Sequence, residues 1–230
     1  MANKTFFVTG TDTGVGKTFI SAGLLLTAKQ RGLSTAALKP VAAGCEMTAA
    51  GLRNDDALLL QSVITQPLAY EQVNPIALEP AIAPHIAAQQ ARRVLSVDRL
   101  SGFCRGALNQ ADFTLVEGAG GWRVPLNPAE TLADLARALR LPVIMVVGIR
   151  LGCINHALLT AEAIARDGLP MAGWVANVID PDMPCQQENI VSLQQRLAAP
   201  CLGVVPYLGQ DATPALLSDF FSAESVAPLF

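Results

Sequence analysis

Short apolar runs alternate with amphipathic stretches along these 230 residues, and the alternation itself predicts the elements. Thr5–Thr9 reads as a strand and Lys17–Arg31 as a helix that Gly32 stops. Thr35–Lys39 is a second strand ended by Pro40. A glycine-bearing loop through Gly44 and Gly51 then precedes a short helix starting near Asn54. Pro67 to Pro84 is punctuated by proline and reads as an irregular excursion. Ser96–Gln110 is helical with Ser96 as cap, and Phe113–Glu117 is an apolar strand that ends in an acid. Further on, Thr131–Arg140, Ile154–Asp167 and Gln186–Leu197 read as helices, with strands at Pro142–Val147, Met171–Ala176 and Cys201–Val205. Buried strands separated by helices imply an α/β fold: a mainly parallel sheet with helices on both faces, a three-layer sandwich. In such sheets ligands gather at the carboxyl ends of the strands, where Gly10, Lys39, Glu117, Gly148 and Asn177 all fall.

Composition narrows the picture only a little. With 51% apolar residues and 15% charged ones, the chain can bury a sizeable core, and its length suits one domain over residues 1–230. A net charge of −3 offers no general attraction to nucleic acid or to an anionic membrane. The longest apolar stretch, Leu141–Ile149, is too short to span a bilayer, and Met1–Lys4 is too short and polar for a signal peptide. Cys45, Cys104, Cys153, Cys185 and Cys201 are scattered without zinc-like spacing, so reduced thiols and a cytoplasmic location are expected.

The chemistry begins at Gly10-Thr11-Asp12-Thr13-Gly14-Val15-Gly16-Lys17-Thr18, between a strand and a helix. This is a P-loop arrangement. Backbone N–H groups of Gly14, Val15 and Gly16 and the positive end of the helix can hold phosphates. Lys17 can reach their oxygens, and the Thr18 hydroxyl can ligate Mg²⁺. Five residues separate Gly10 from Gly16, one more than the usual spacing, so the loop is a variant. Lys39 leaves its strand on the same side and offers a second ammonium group, although a lone lysine there is commonly just solvated. Glu117 ends an apolar strand as a metal-holding acid would, and Gly118-Ala119-Gly120-Gly121 lets backbone approach a ligand. Asp56 is either a second metal ligand or a helix cap.

The chain resembles the dethiobiotin synthetase family over nearly its whole length. The resemblance is carried by the P-loop, Lys39-Pro40-Val41-Ala42, Gly51-Leu52-Arg53-Asn54 with Asp56-Ala57, Val116-Glu117-Gly118-Ala119-Gly120-Gly121-Trp122, Gly152-Cys153-Ile154-Asn155-His156-Ala157 and Gly173-Trp174-Val175-Ala176-Asn177. It implies an ATP- and Mg²⁺-dependent carboxylation and ring closure of 7,8-diaminononanoate with CO₂. Lys17 and Lys39 would act on the reacting phosphate, and Thr18, Asp56 and Glu117 would hold the metal. Gly118, Ala119 and Gly120 would flank the nucleotide, Asn177 would read adenine, and Pro206 and Leu208 would pack beside it. Thr13 would lie near the diamine. The helix opening at Gly152, Cys153, Ile154 and Asn155 would receive the substrate carboxylate from a neighbouring subunit, which implies a homodimer. Taken on its own, that helix start reads rather as capping itself through Asn155; the resemblance reverses this. Ala43 and Asn189 stand where relatives carry a serine and a tyrosine that touch substrate.

Two other readings use related folds. A partitioning or positioning ATPase would carry an extra lysine where this chain has Thr11-Asp12, and usually a basic or amphipathic tail. Phe220–Phe230 has no lysine or arginine. A cobyrinate-type amide ligase would need a further glutaminase domain. The histidines His85 and His156 and the pair Arg92-Arg93 read as ordinary packing or surface residues.

Overall fold

A computed structural model describes residues 3–209 and 211–230; Met1 and Ala2, where the reading of the amino terminus begins, lie outside it. In chain order the elements are β1 (Lys4–Gly10), α1 (Lys17–Gln30), β2 (Thr35–Leu38), β3 (Val41–Ala43), β4 (Glu46–Thr48), β5 (Gly51–Arg53) and α2 (Asp55–Val63). There follow α3 (Tyr70–Val73), β6 (Ile76–Leu78), α4 (Pro84–Gln90), α5 (Val97–Arg105), β7 (Phe113–Glu117), α6 (Leu132–Leu139) and β8 (Val143–Ile149). The chain continues through α7 (Cys153–Arg166), β9 (Met171–Val178), α8 (Gln186–Arg196), β10 (Cys201–Val205), a 3-10 helix over Pro214–Phe220, α9 (Ala223–Val226) and a last 3-10 turn.

Six strands form a wholly parallel sheet in the order β10-β9-β8-β1-β7-β2. Successive strand residues face opposite sides, so a run with no polar gap must be covered on both. Phe6 and Val8 join Ile20 and Leu24 of α1 on one side, whereas Phe7 and Val116 meet Leu132 and Leu135 of α6 on the other. Beneath α7 and α8, Met145 and Val147 pack with Trp174, Ala157, Ile190 and Leu193. These are the three layers that the alternation predicts.

The proline-rich excursion is more ordered than expected. Between Pro67 and Pro84 the chain forms α3 and then β6, which pairs in parallel with β3 as a small second sheet. The strand is only three residues long, too short to carry a recognisable period. The glycine loop after Pro40 likewise closes an antiparallel β4–β5 pair. The helix starting at Ser96 ends at Arg105, earlier than read, and β8 runs on to Ile149. The segment after Pro206, which has no clear periodicity, wraps α1. A Cβ placed on Gly23 would lie 2.5 Å from a Leu217 side-chain carbon, so glycine is what lets the 3-10 helix settle there.

Candidate active site

At the carboxyl end of β1 the chain turns through Gly14 (φ 74°) and Gly16 (φ 84°), left-handed conformations that favour glycine. Gly16 is the N-cap of α1, no side chain caps the helix, and its first turn holds no acid. The first amides of α1 therefore remain free for an anion. Space is tight. A Cβ on Gly16 would lie 2.3 Å from Asn177 Nδ2, and that nitrogen already donates to the Val15 carbonyl oxygen at 2.9 Å. Asn177 on β9 thus braces the loop from below. The Lys17 ammonium donates to the Asp12 carbonyl oxygen at 3.4 Å, closing the turn across its mouth. The Asp12 carboxylate in turn pairs with Arg150.

Glu117 sits at the end of β7 with a fully buried side chain. Its Oε1 accepts from Thr18 Oγ1 at 2.7 Å and from Lys39 Nζ at 2.6 Å, and its Oε2 accepts from Ser21 at 2.8 Å. The buried carboxylate is thus held from three sides, as a charge in the interior requires. Lys39 also donates to Asp56 Oδ2 at 2.7 Å, from the first turn of α2. Asp56 is not the cap of that helix; Asn54 is, accepting from the Ala57 amide. Asp56 stands two residues beyond the cap, which leaves its carboxylate free to point into the site.

The lysines titrate in opposite directions. Burial pushes Lys17 below the ordinary lysine value, and its more distant acids do not offset this. Burial also opposes the Lys39 charge, but Glu117 and Asp56 outweigh it and hold the group above that value. For Asp56, burial favours the neutral form, yet Lys39 outweighs it and keeps the carboxyl below the usual range. Two carboxylates and a hydroxyl around one buried cation make a hard-oxygen donor set of the kind Mg²⁺ takes. Among the described residues no group of three or more His, Cys, Asp or Glu gathers. With two carboxylates and a hydroxyl, the set would suit an ion that keeps water and phosphate oxygens as its remaining ligands.

Lys17, Thr18, Lys39 and Asp56 open onto a cavity of about 800 Å³, with Glu117 buried behind them. Thr13, Gly14, Gly16, Lys17, Thr18, Lys39, Asp56, Ala119 and Gly120 all border it, and Leu59, Ile82, Pro84 and Val124 supply an apolar wall. Ala43 also borders it, presenting a methyl group. Gly118 stays buried behind the wall, packed on Phe7. Asn177, Pro206 and Leu208 lie outside the lining. So do Gly152, Cys153, Ile154 and Asn155, although they do open α7. No side chain caps α7, so Asn155 does not close it. Asn189 donates to the Cys185 carbonyl oxygen within its own helix. Ser21 went unremarked in the sequence; it sits one turn beyond Thr18 on α1, and that spacing was the available signal. Trp122, beside the glycine loop, donates to Asp167 at 2.7 Å and meets Phe7 edge-on.

A family model described as an AAA domain matches residues 4–214. A dethiobiotin synthetase from Cellvibrio japonicus is 69% identical over 94% of each chain, and one from Pseudomonas aeruginosa is 64% identical over 93% of each. A third, from Marinobacter nauticus, is 56% identical over 96% of this chain and 97% of the relative. The chain belongs to the ATP-dependent dethiobiotin synthetase family. It is thus an enzyme of the ligase class, and the partitioning-ATPase reading falls. Solved structures agree on the fold alone. A ParA family ATPase from Chlorobium tepidum gives a TM-score of 0.55 at 14% identity over 99% of this chain and 94% of that one. The septum site-determining protein MinD from Pyrococcus horikoshii, complexed with Mg-ADP, gives 0.53 at 16% identity over 88% and 81%. Among the described residues no helix is long and apolar enough to cross a membrane.

Proposed function

We propose that this member of the dethiobiotin synthetase family closes the ureido ring of dethiobiotin at the Lys17–Lys39 cavity, in the cytoplasm. An amine of 7,8-diaminononanoate takes up CO₂ as a carbamate, whose oxygen attacks the γ-phosphate of ATP and releases ADP. The second amine then displaces phosphate from the mixed carbamic–phosphoric anhydride, and the ring closes. Loose phosphoryl transfer asks for alignment and for stabilisation of negative charge, rather than for a protein nucleophile. The observation that carries the reading is Lys39: its ammonium lies 2.6 Å from Glu117 and 2.7 Å from Asp56, at the edge of the phosphate loop.

Lys39 is assigned to the space between carbamate and γ-phosphate, and Lys17 with the Gly14–Gly16 amides to the phosphate tail. Thr18, Asp56 and Glu117 would hold Mg²⁺, which would neutralise phosphate charge when bound. Thr13 is assigned to the diamine, Gly118, Ala119 and Gly120 to the nucleotide's flank, and Asn177, Pro206 and Leu208 to the base. The uncapped start of α7, Gly152–Asn155, is assigned to the carboxylate of substrate bound by a second copy, so that the active form is a homodimer. Residues 1–230 are taken as one catalytic domain, a reading supported by the loops and helix starts at the carboxyl ends of one parallel sheet, which supply most of the assigned residues.

The test is phosphate release with ATP, Mg²⁺, bicarbonate and the diamine present. Release that depends on both the diamine and bicarbonate is expected. Release that proceeds equally without the diamine would overturn the assignment.

A further inference from the structure

Two buried polar side chains that do not line the cavity are tied to both of its charged walls. Tyr70 opens α3 and Asn74 follows it, and both are almost inaccessible to solvent. The Tyr70 hydroxyl accepts from the Asn54 backbone amide at 2.8 Å and donates to Asn74 Oδ1 at 3.1 Å. Asn54 is the cap of α2, so this hydroxyl grips the helix that carries Asp56 at its starting residue. Asn74 Nδ2 donates to the Lys39 carbonyl oxygen at 2.7 Å and to the Ile76 carbonyl oxygen at 3.3 Å. The Lys39 amide donates to the Val73 carbonyl oxygen at 2.7 Å.

Both main-chain polar groups of Lys39 and the amide of the residue capping the Asp56 helix therefore end on a single turn of chain. The circuit closes through the site itself, where Lys39 Nζ meets Asp56 Oδ2 at 2.7 Å. Arg53 lies 4.1 Å over the Tyr70 ring and pairs with Glu71, which shields the network from water. The Tyr70 hydroxyl and both Asn74 donors are all engaged, and a fully satisfied buried network is stiff. The phosphate loop, held by β1, α1 and Asn177, stands outside this circuit.

We propose that Tyr70 and Asn74 are positioning residues for the reaction, setting the Lys39 ammonium against the Asp56 carboxylate. This rests on the assignment of Lys39 and Asp56 made above. The two residues act on the geometry of turnover rather than on nucleotide capture, because their hydrogen bonds end on Lys39 and α2.

Tyr70→Phe keeps the ring and removes the hydroxyl; Asn74→Asp keeps the acceptor and removes both donors, and it carries the test should Tyr70→Phe be too unstable to assay. Each is assayed well below its melting temperature, with ATP binding measured alongside. A fall in kcat on the order of 10- to 100-fold is expected, with the KM and Kd for ATP held within about two-fold. On an Asp56→Asn background the further loss from either substitution should shrink to less than about two-fold, because the helix no longer presents the group being positioned. A lower melting temperature with unchanged kcat would reduce the network to a structural role and overturn the proposal, as would fully additive losses. An impaired Asp56→Asn beside an unaffected Tyr70→Phe and Asn74→Asp sinks the network alone. An Asp56→Asn enzyme at full turnover sinks the underlying assignment and the proposal with it.

Discussion

Helices α1 and α7 begin almost alike and end up with different surroundings. Each spans 14 residues, follows a strand of the parallel sheet, opens on a left-handed glycine, and lacks both a capping side chain and an acid in its first turn. At α1 the opening is enclosed: Lys17 and Thr18 are buried, and even a methyl group on Gly16 would strike Asn177. At α7 the opening is bare: a Cβ on Gly152 would meet nothing within 4 Å, and the neighbouring Leu151 is 87% exposed. A free helix end favours an anion in both places, but it becomes a strong site only where buried cations and low dielectric reinforce it. The phosphate loop has that reinforcement within one copy of the chain. The start of α7 would need a second copy to supply it.

The largest test strikes the enclosed end. Lys39→Met keeps the side-chain volume and should lower kcat by about 10²–10³-fold, the usual loss when one charge-stabilising donor is removed. Steady-state turnover checks it, and a wild-type kcat would detach Lys39 from the chemistry. Next come the matched glycines. Gly16→Ala should cost more than about 2 kcal/mol and abolish ATP binding, because left-handed strain adds to overpacking against Asn177. Gly152→Ala carries the strain alone, about 1 kcal/mol. Thermal melts and ATP titration compare them, and equal losses would erase the contrast between the two helix starts.

Leu151→Glu is milder. It should leave the protomer's core untouched, weaken the proposed dimer in sedimentation, and raise the KM for the diamine by roughly ten-fold through like-charge repulsion, with ATP binding unchanged. Unchanged diamine KM and unchanged dimerisation would mean that no second copy covers α7. The smallest effect is on pH. Because burial lowers the Lys17 pKa, the free enzyme loses this positive charge below the ordinary lysine value of 10.5. ATP affinity should therefore weaken by a few-fold as pH climbs toward that value, about as expected for one phosphate contact. Lys39, shifted upward by its acids, stays charged over the same range. Binding that is flat with pH would place Lys17 away from the phosphates.

Local rules reached a good deal of this molecule. Gly-Lys-Thr after an apolar strand, the helix start near Asn54, Ser96 as a cap, and the strand ends at Glu117 and Asn177 could all be read from neighbouring residues, because turns, caps and strand periods are short-range. Asp56 could not be settled that way, since cap and ligand differ by register alone. Ser21 and Tyr70 gave less warning still. Their roles depend on partners 96 and 16 residues away.

Order along the chain was thus enough for the parallel three-layer fold, the phosphate loop and its lysine, because each follows from backbone sterics and apolar spacing. Folding in three dimensions decided which charges meet. It put Lys39 between Glu117 and Asp56, ran α3 and β6 through what reads as loose chain, and left α7 open while enclosing α1. Such outcomes rest on long-range packing and on the need of buried charges for partners, and neither leaves a period in the sequence.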